Sequence, residues 1–257
     1  MSRRIRTGII NYLNVLPFLY GLKNSPIIHS MDLVETYPSA LARMLLSKEV
    51  DLGIVPVAVL PEMEEYHIVS DFGISCNGPV ASVCLFSDVP VEEIETIYLD
   101  YQSRTSVALV QLLMKDYWKL TPIFKDAKEE DFRHHIKGNT AGVVIGDRAF
   151  EQRKQSAFIY DLGEAWKNHT GEGFIFAAWV ANRELPASFQ QEFNDALKYG
   201  LEQVDKIVAE TPFPLFDLHH YYRENIKYSL DASAKRGMAL FLSSLAQPDH
   251  AAAVSRC

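Results

Sequence analysis

Short apolar runs rich in Ile and Val alternate with helix-like segments along most of the chain, and this alternation restricts the fold more than any other feature. Ile5–Ile10, Asp51–Val55 and Ala141–Ile145 are three such runs, and each is followed by a turn and a helical pattern. Buried strands separated by helices are typical of a mostly parallel sheet covered by helices. We therefore predict an α/β fold.

The same pattern predicts two lobes. It stops at Asp88-Val89-Pro90 and then restarts, so we assign residues 1–86 to lobe 1 and 87–180 to lobe 2. The long apolar strand Phe174–Ala181 is the predicted return crossing, and residues 181–257 return to lobe 1 as helix from Pro186 to Val254. Two strands that cross between α/β units form a hinge. Ligands of such folds bind in a cleft near the carboxyl ends of strands.

Composition excludes several classes of protein. Hydrophobic residues make up 48% of the chain and charged residues 23%, which is ordinary globular composition. The net charge of −8 argues against a nucleic-acid-binding protein with a broad basic face. It also means that an anionic ligand needs a local positive site. No run approaches the roughly 20 apolar residues of a membrane span, so we expect no membrane insertion.

The N-terminal basic residues and the cysteines bear on location. Arg3, Arg4 and Arg6 precede an apolar stretch, as in a signal peptide, but asparagines interrupt the stretch and no small-residue cleavage motif follows. The three cysteines have no metal-ligand spacing and suit a reducing compartment. We therefore expect a cytoplasmic protein.

The strongest local feature is the segment from Leu99 to Ser106, between a strand and the predicted helix Thr105–Trp118. Ser103 and Thr105 are good helix caps, and the amides of a first helical turn attract carboxylates. Arg104 could add a two-pronged contact to such a carboxylate. A plain capped helix with a solvated arginine explains the same residues equally well.

Four other positions offer polar groups near predicted strand ends or helix starts. They are the first loop with Asn11 and Asn14, the helix start at Ser39 and Ala40, Ser82 on a strand, and Asp147 after a strand. Each has a plainer alternative: an Asx turn for the asparagines, and helix capping for Ser39 and Asp147. Ser82 has no evident histidine partner and is not predicted to be a nucleophile.

No catalytic triad, phosphate loop or dinucleotide fingerprint occurs in the chain. The residues by themselves therefore indicate a two-lobed protein that binds a small anion. They do not choose between a transport receptor and an enzyme.

Seven short motifs follow one another along the chain: Ile10-Asn11-Tyr12-Leu13-Asn14, Pro38-Ser39-Ala40-Leu41-Ala42, Asp51-Leu52-Gly53-Ile54-Val55-Pro56, Gly78-Pro79-Val80, Ser103-Arg104-Thr105-Ser106, Ile145-Gly146-Asp147 and Tyr160-Asp161-Leu162-Gly163. Together they resemble the chorismate dehydratase family of the futalosine-dependent menaquinone pathway. The order and spacing match from about Ile5 to Ala181, and the C-terminal helices match only in character.

The resemblance implies a type II periplasmic-binding-protein-like fold in a cytoplasmic enzyme. It implies a carbon–oxygen lyase that converts chorismate, a dicarboxylate, to 3-[(1-carboxyvinyl)oxy]benzoate and water, with no cofactor and no metal. A sister family of the same pathway shares the fold but acts on dehypoxanthine futalosine. A solute receptor for a small carboxylate is the other alternative.

The resemblance also suggests roles for the candidate residues. Ser103, Arg104, Thr105 and Ser106 would hold one carboxylate, and Ser39 with the Ala40 amide would hold the other. Asn11 and Asn14 would contact the hydroxyl or the ether of the substrate, and Ser82 would line the pocket. The proton acceptor would be Asp147 or a carboxylate of the substrate itself.

Overall fold

The computed structural model describes residues 4–247 of the 257-residue chain. The predicted helix end at Val254 and the third cysteine, Cys257, lie outside the described residues. The strands are β1 (Ile5–Ile10), β2 (Met31–Thr36), β3 (Leu52–Pro56), β4 (His67–Cys76), β5 (Val83–Ser87), β6 (Thr96–Leu99), β7 (Ile123–Asp126), β8 (Thr140–Ile145), β9 (Phe158–Asp161), β10 (Phe174–Ala181) and β11 (Lys227–Ser229). The helices are α1 (Leu16–Lys23), α2 (Pro38–Leu46), α3 (Thr105–Asp116), α4 (Asp147–Gln152), α5 (Leu162–Thr170), α6 (Ala187–Glu202), α7 (Val204–Glu210), α8 (Leu218–His220) and α9 (Ala232–Leu245).

The chain forms two compact units, and it passes from one unit to the other at positions that differ from the predicted ones. Unit 1 holds the described residues up to Ser75 together with Ile175–Asp231, and unit 2 holds Cys76–Phe174 and the described residues from Ala232 onward. The predicted boundaries after residues 86 and 180 therefore differ from the observed ones. The strand predicted to end lobe 1, β5, pairs with β8 and β9 and so belongs to unit 2.

The position of the last helix differs from a second prediction. Residues 181–257 were predicted to return to lobe 1, but α9 belongs to unit 2. Phe241 of α9 packs edge-on against Phe174 and Trp166, with ring centroids 5.1 and 6.2 Å away. Arg236 of α9 donates two hydrogen bonds to the Glu172 carboxylate, at 2.8 and 2.9 Å. Aromatic burial and this ion pair explain why the helix packs there.

Unit 1 contains a six-stranded sheet with the order β11-β4-β10-β3-β1-β2. The strands β2, β1 and β3 run parallel, whereas β10 runs antiparallel to β3 and β11 antiparallel to β4. The carboxyl ends of β1 and β2 therefore meet at one edge. The first loop, residues 11–15, follows β1 at that edge, and the start of α2 follows β2.

Unit 2 contains a five-stranded sheet with the order β7-β6-β8-β5-β9. The strand β6 runs parallel to β7 and β8, and β5 runs antiparallel to β8 and β9. Val83, the first residue of β5, is paired with Ile145, the last residue of β8. The loops after β6 and β8 and the loop before β5 thus share one edge, and both sheets are mixed rather than mostly parallel.

The C-terminal third is less helical than predicted. Pro212 and Pro214 follow α7, where proline cannot continue a helix. The chain then forms α8, a π-helical turn at Tyr221–Asn225, and β11. Near the N-terminus, a 3₁₀ turn occupies Pro26–Ser30 before β2 begins at Met31.

The helix after the first loop is packed closely on α6. A Cβ atom at Gly21 of α1 would overlap the carbonyl oxygen of Ala196, and one at Gly200 of α6 would overlap that of Pro17. Only glycine allows the two backbones to approach this closely. The close contact fixes α1, and with it the loop that precedes it, on the frame of unit 1.

Candidate functional site

The structure brings six of the predicted site residues to one edge of the unit 2 sheet. Ser103–Ser106 follow β6, Asp147 follows β8, and Ser82 precedes β5. The amide of Gly146 donates a hydrogen bond to the carbonyl oxygen of Ser82 at 2.9 Å, which joins two of these loops directly. Carboxyl ends of parallel strands are the usual location of ligands in α/β sheets.

The buried carboxylate of Asp100 joins the loop after β6 to the loop after β8. It accepts hydrogen bonds from the amides of Gln102, at 3.0 Å, and Ile145, at 3.1 Å, and from Arg148 Nη2 at 2.6 Å. Burial raises the pKa of Asp100, and the Arg148 cation and the two amides oppose that rise. Asp100 therefore fixes the geometry of both loops.

Arg148 extends this arrangement toward the surface. Its Nη1 atom lies 2.5 Å from Glu130 Oε2, and its guanidinium lies 5.7 Å from the ring centroid of Tyr101. Glu130 also contacts Arg133 at 2.6 Å, and Arg133 contacts Glu151 at 3.1 Å. The alternating charges are mostly compensated within the cluster, so this part of the edge acts as support.

The start of α3 has the features predicted for a carboxylate site. Ser103 Oγ accepts a hydrogen bond from the Ser106 amide at 3.0 Å, so Ser103 supplies the cap. Arg104 is 6% exposed, and the hydroxyl residues beside it are equally buried. The first-turn amides and the positive end of the helix dipole point out of this end. Thr105, predicted as a second cap, lies inside the first turn.

Asp161 holds the segment that contains Ser82. Its carboxylate accepts hydrogen bonds from the amides of Val80, at 3.0 Å, and Ala81, at 2.7 Å, and it caps α5 by accepting from Gly163 and Glu164. Ala81 has a φ of 66°, a left-handed conformation that is unfavourable for alanine. The bonds to Asp161 maintain this backbone conformation next to Ser82.

Asp147 is the first residue of α4 and is partly exposed. The residue before it, Gly146, has a φ of 66°, which glycine adopts without strain. Gly146 occupies the cap position, so Asp147 does not cap the helix, contrary to the plainer alternative. Its carboxylate lies in the first turn, where a negative charge is favourable.

In unit 1, the first loop presents Asn14 on a 3₁₀ turn at Leu13–Val15. The Oδ1 atom of Asn14 is buried and has no hydrogen-bond partner in the structure. Buried polar atoms nearly always have a partner, so this oxygen is suited to accept a hydrogen bond from a ligand. Asn11 is exposed, and its amide donates to the Thr36 carbonyl at 3.2 Å.

The start of α2 contains Ser39 and Ala40, which are half-buried residues of the first turn. Pro38 is the first residue, and Tyr37 at the cap position makes no side-chain capping bond. The hydrogen bond from Asn11 to Thr36 links the first loop to the segment that leads into this helix. The structure therefore groups Asn11, Ser39 and Ala40 at the same sheet edge of unit 1.

Sequence reasoning missed five supporting residues: Asp100, Arg148, Asp161, Tyr222 and Tyr228. Asp100 and Arg148 stand next to predicted residues, and Asp161 stands before a helix that it caps. Tyr222 and Tyr228 hydrogen-bond the first loop from more than 200 residues away. No local pattern signals such a contact.

A separate groove of about 640 Å³ in unit 1 contains none of the predicted site residues. Its lining includes Lys48 and three glutamates, Glu62, Glu64 and Glu65. An acidic lining disfavours an anionic ligand. We therefore base the candidate site on the polar groups at the sheet edges and not on this groove.

Two further findings concern residues 4–247. None of the helices there is long and apolar enough to cross a membrane. In the same range, no three His, Cys, Asp or Glu side chains are grouped closely enough to hold a metal ion.

The architecture is that of the two-lobed α/β proteins with a periplasmic-binding-protein-like fold. Protein AF1704 from Archaeoglobus fulgidus superposes with a TM-score of 0.70 at 13% identity, over 95% of this chain and 97% of the other. The aliphatic sulphonate binding protein SsuA from Escherichia coli gives a TM-score of 0.61 at 14% identity, over 95% and 87%. These similarities confirm the predicted fold class.

Sequence comparisons define a family within this fold. A sequence profile described as menaquinone biosynthesis matches residues 5–247, and the chain belongs to this family. Chorismate dehydratase from Thermus thermophilus is 26% identical over 265 residues, covering 94% of this chain and 95% of its own length. The family predicted from the motifs is thereby confirmed.

Proposed function

We propose that this protein is a cytoplasmic chorismate dehydratase, a carbon–oxygen lyase that forms 3-[(1-carboxyvinyl)oxy]benzoate and water. The observation that carries the proposal is the similarity to the Thermus thermophilus enzyme over 94% of the chain, within a menaquinone biosynthesis family. The charged and polar groups at the two sheet edges support it, because chorismate carries two carboxylates.

The reaction is an elimination. The carbon–oxygen bond to the ring hydroxyl breaks, and the oxygen leaves with the bonding electrons. The neighbouring ring carbon loses a proton, and its electron pair becomes the new ring double bond. The departing hydroxide and the proton together make one water. Because the ring becomes aromatic, the protein has to hold the substrate, orient the two bonds and assist proton transfer.

Unit 2 would bind one carboxylate at the start of α3. The Arg104 guanidinium offers two parallel donors, and Ser103, Thr105 and Ser106 offer hydroxyl groups. Since the whole chain carries a net charge of −8, attraction of a dianion depends on such a local site. Ser82, on the neighbouring loop, would line the same site.

Unit 1 would bind the second carboxylate through Ser39 and the Ala40 amide in the first turn of α2. Asn11 and Asn14 would contact the hydroxyl or the ether of the substrate. The partnerless Oδ1 of Asn14 favours a hydrogen bond from the ring hydroxyl, since an ether has no hydrogen to donate. Such a contact would orient the leaving group.

Two proton acceptors remain in the proposal, Asp147 and a carboxylate of the substrate. An Asp147→Asn variant distinguishes them, because asparagine keeps the shape of the side chain but cannot take up the proton. Loss of about a thousand-fold in kcat supports Asp147 as the base. Nearly full turnover excludes it and leaves the substrate carboxylate.

The first experiment mixes purified protein with chorismate and follows the ultraviolet spectrum and the mass of the product. A new aromatic product lighter than chorismate by one water supports the dehydratase. Binding of chorismate without turnover contradicts it and favours a receptor. Turnover of dehypoxanthine futalosine instead of chorismate favours the sister enzyme of the pathway.

A further inference from the structure

Two tyrosine hydroxyls hold the backbone of the first loop. Tyr222 Oη donates a hydrogen bond to the Leu13 carbonyl oxygen at 3.0 Å, and Tyr228 Oη donates to the Asn14 carbonyl oxygen at 2.8 Å. The two acceptors are successive residues of one 3₁₀ turn. The same turn carries the buried, partnerless Oδ1 atom of Asn14.

Both tyrosines are buried, with exposures of 3% for Tyr222 and 8% for Tyr228. Burial, followed by the neighbouring Tyr222 and Tyr221, raises the pKa of Tyr228 well above its usual value. Tyr228 is therefore a neutral phenol that can donate at any physiological pH. The Phe18 ring meets Tyr228 edge-on at 5.1 Å, which fixes the direction of the phenol.

Rigid elements carry the two tyrosines. Tyr222 lies in the π-helical turn Tyr221–Asn225. The Ile226 amide closes this turn by donating a hydrogen bond to the Tyr221 carbonyl at 3.0 Å. Tyr228 lies in β11, which pairs with β4 at the sheet edge. The Ser75 hydroxyl also donates a hydrogen bond to the Lys227 carbonyl. Tyr228 is thus held by the unit 1 sheet, and Tyr222 by the π-helical turn that leads into β11.

We propose that Tyr222 and Tyr228 are positioning residues that hold Asn14 in the orientation needed to contact the substrate. The inference rests on the proposed function, in which Asn14 contacts chorismate. A turn fixed by two buried bonds keeps Oδ1 available to the substrate, whereas a looser turn lets the amide rotate toward another partner. Neither tyrosine needs to touch the substrate.

A double-mutant cycle tests this role. In the wild-type background, Tyr228→Phe removes one donor without changing the ring, and kcat falls about ten-fold while KM changes less than about two-fold. In an Asn14→Ala background, the same substitution changes kcat by less than about two-fold. Tyr222→Phe behaves in the same way, with a similar or smaller effect.

Tyr160→Phe is the matched control. The Tyr160 hydroxyl also bonds to the backbone, accepting from the Val91 amide at 2.8 Å, but it lies in unit 2. We expect this variant to keep kcat within about two-fold of the wild type. Thermal unfolding of all variants shows that each is folded at the assay temperature.

The outcomes separate the two proposals. No turnover of chorismate by the wild-type protein overturns the proposed function and this inference with it. Turnover by the wild type with equal losses from Tyr228→Phe in both backgrounds overturns the inference alone, because a merely structural role does not depend on Asn14. Wild-type kcat in both tyrosine variants overturns it as well.

Discussion

The carboxylate of Asp100 lies 2.6 Å from the guanidinium of Arg148, and the two residues are separated by 48 positions in the sequence. Asp100 follows β6 and Arg148 lies in α4 after β8. The pair therefore fixes two candidate ligand-binding segments relative to each other. Because the Asp100 side chain has no exposure to solvent, the pair is expected to matter for stability as well as for geometry.

Arg148→Met is expected to destabilise the protein by about 3 kcal/mol at pH 8, because it leaves the Asp100 carboxylate buried without its cation. The pKa of Asp100 is already raised by burial, and removal of Arg148 raises it further. The folded variant then takes up a proton that the folded wild type does not. The stability of the variant relative to the wild type must therefore fall as pH rises from the pKa of Asp100 in the wild type to its higher pKa in the variant.

Urea unfolding at pH 5 and pH 8 measures this effect. We expect a smaller loss at pH 5, where the carboxyl group can become neutral. Lys23→Met is the control, since Lys23 and Glu35 lie 3.1 Å apart and are 51% and 45% exposed. Such a surface pair is worth less than about 1 kcal/mol. A loss for Arg148→Met that is independent of pH contradicts the role given to Asp100.

Asp161→Asn is expected to cost about 3 kcal/mol. The Asp161 carboxylate accepts hydrogen bonds from the amides of Val80, Ala81 and the first turn of α5. An asparagine NH₂ group turned toward any of these amides would place two hydrogen-bond donors against each other. Chemical denaturation gives the free energy of unfolding. Asp88→Asn is the control, because the Asp88 carboxylate accepts one exposed amide bond, from Gly138 at 3.2 Å. Equal losses in the two variants would rule out a special role for Asp161.

Arg104→Lys is expected to raise KM for chorismate about ten-fold with a smaller change in kcat. Lysine keeps the charge but not the planar pair of donors that matches a carboxylate. Steady-state kinetics provide the measurement, and Arg43→Lys on an exposed position of α2 serves as the control. Unchanged KM in the Arg104 variant would remove this residue from the proposed carboxylate site.

Cys76 and Cys84 are expected to resist iodoacetamide in the native protein at pH 8. Both thiols are buried, and burial raises the pKa of each, so the reactive thiolate is scarce. A Cys257→Ser variant makes labelling report on these two residues alone, and mass spectrometry with and without denaturant counts the adducts. Rapid labelling of Cys76 without denaturant would contradict the burial of this thiol.

Two strands could be predicted to the residue from the sequence. The bounds of β1 and β10 agree with the prediction because each is an apolar run bordered by turn-forming residues. The unit to which a strand belongs could not be predicted in this way. The strand β5 is apolar and buried on both faces, and such a pattern does not show which sheet it joins.

The positions of several candidate site residues could be predicted, because they follow or precede recognisable strands. The residues that hydrogen-bond and hold the site segments could not be predicted in this way. Ser103, Ser82 and Asp147 stand at strand ends, where ligand contacts are common. Asp161 was identifiable only as part of a motif, because its partners at Val80 and Ala81 are about 80 residues away. Tyr222 and Tyr228 look like ordinary core aromatics in a segment that was predicted to be helical throughout, whereas β11 and the π-helical turn interrupt it.

The distance in sequence between the first loop and its two tyrosines has a consequence for synthesis. The hydrogen bonds to Leu13 and Asn14 span 209 and 214 residues. A nascent chain on the ribosome carries Asn14 long before Tyr228 is made, and it cannot complete these bonds until Tyr228 has left the exit tunnel. The N-terminal half of the sheet can gain structure earlier, since β1, β2 and β3 are close in sequence. The first loop can therefore reach its final conformation only after nearly all of the described chain has been made.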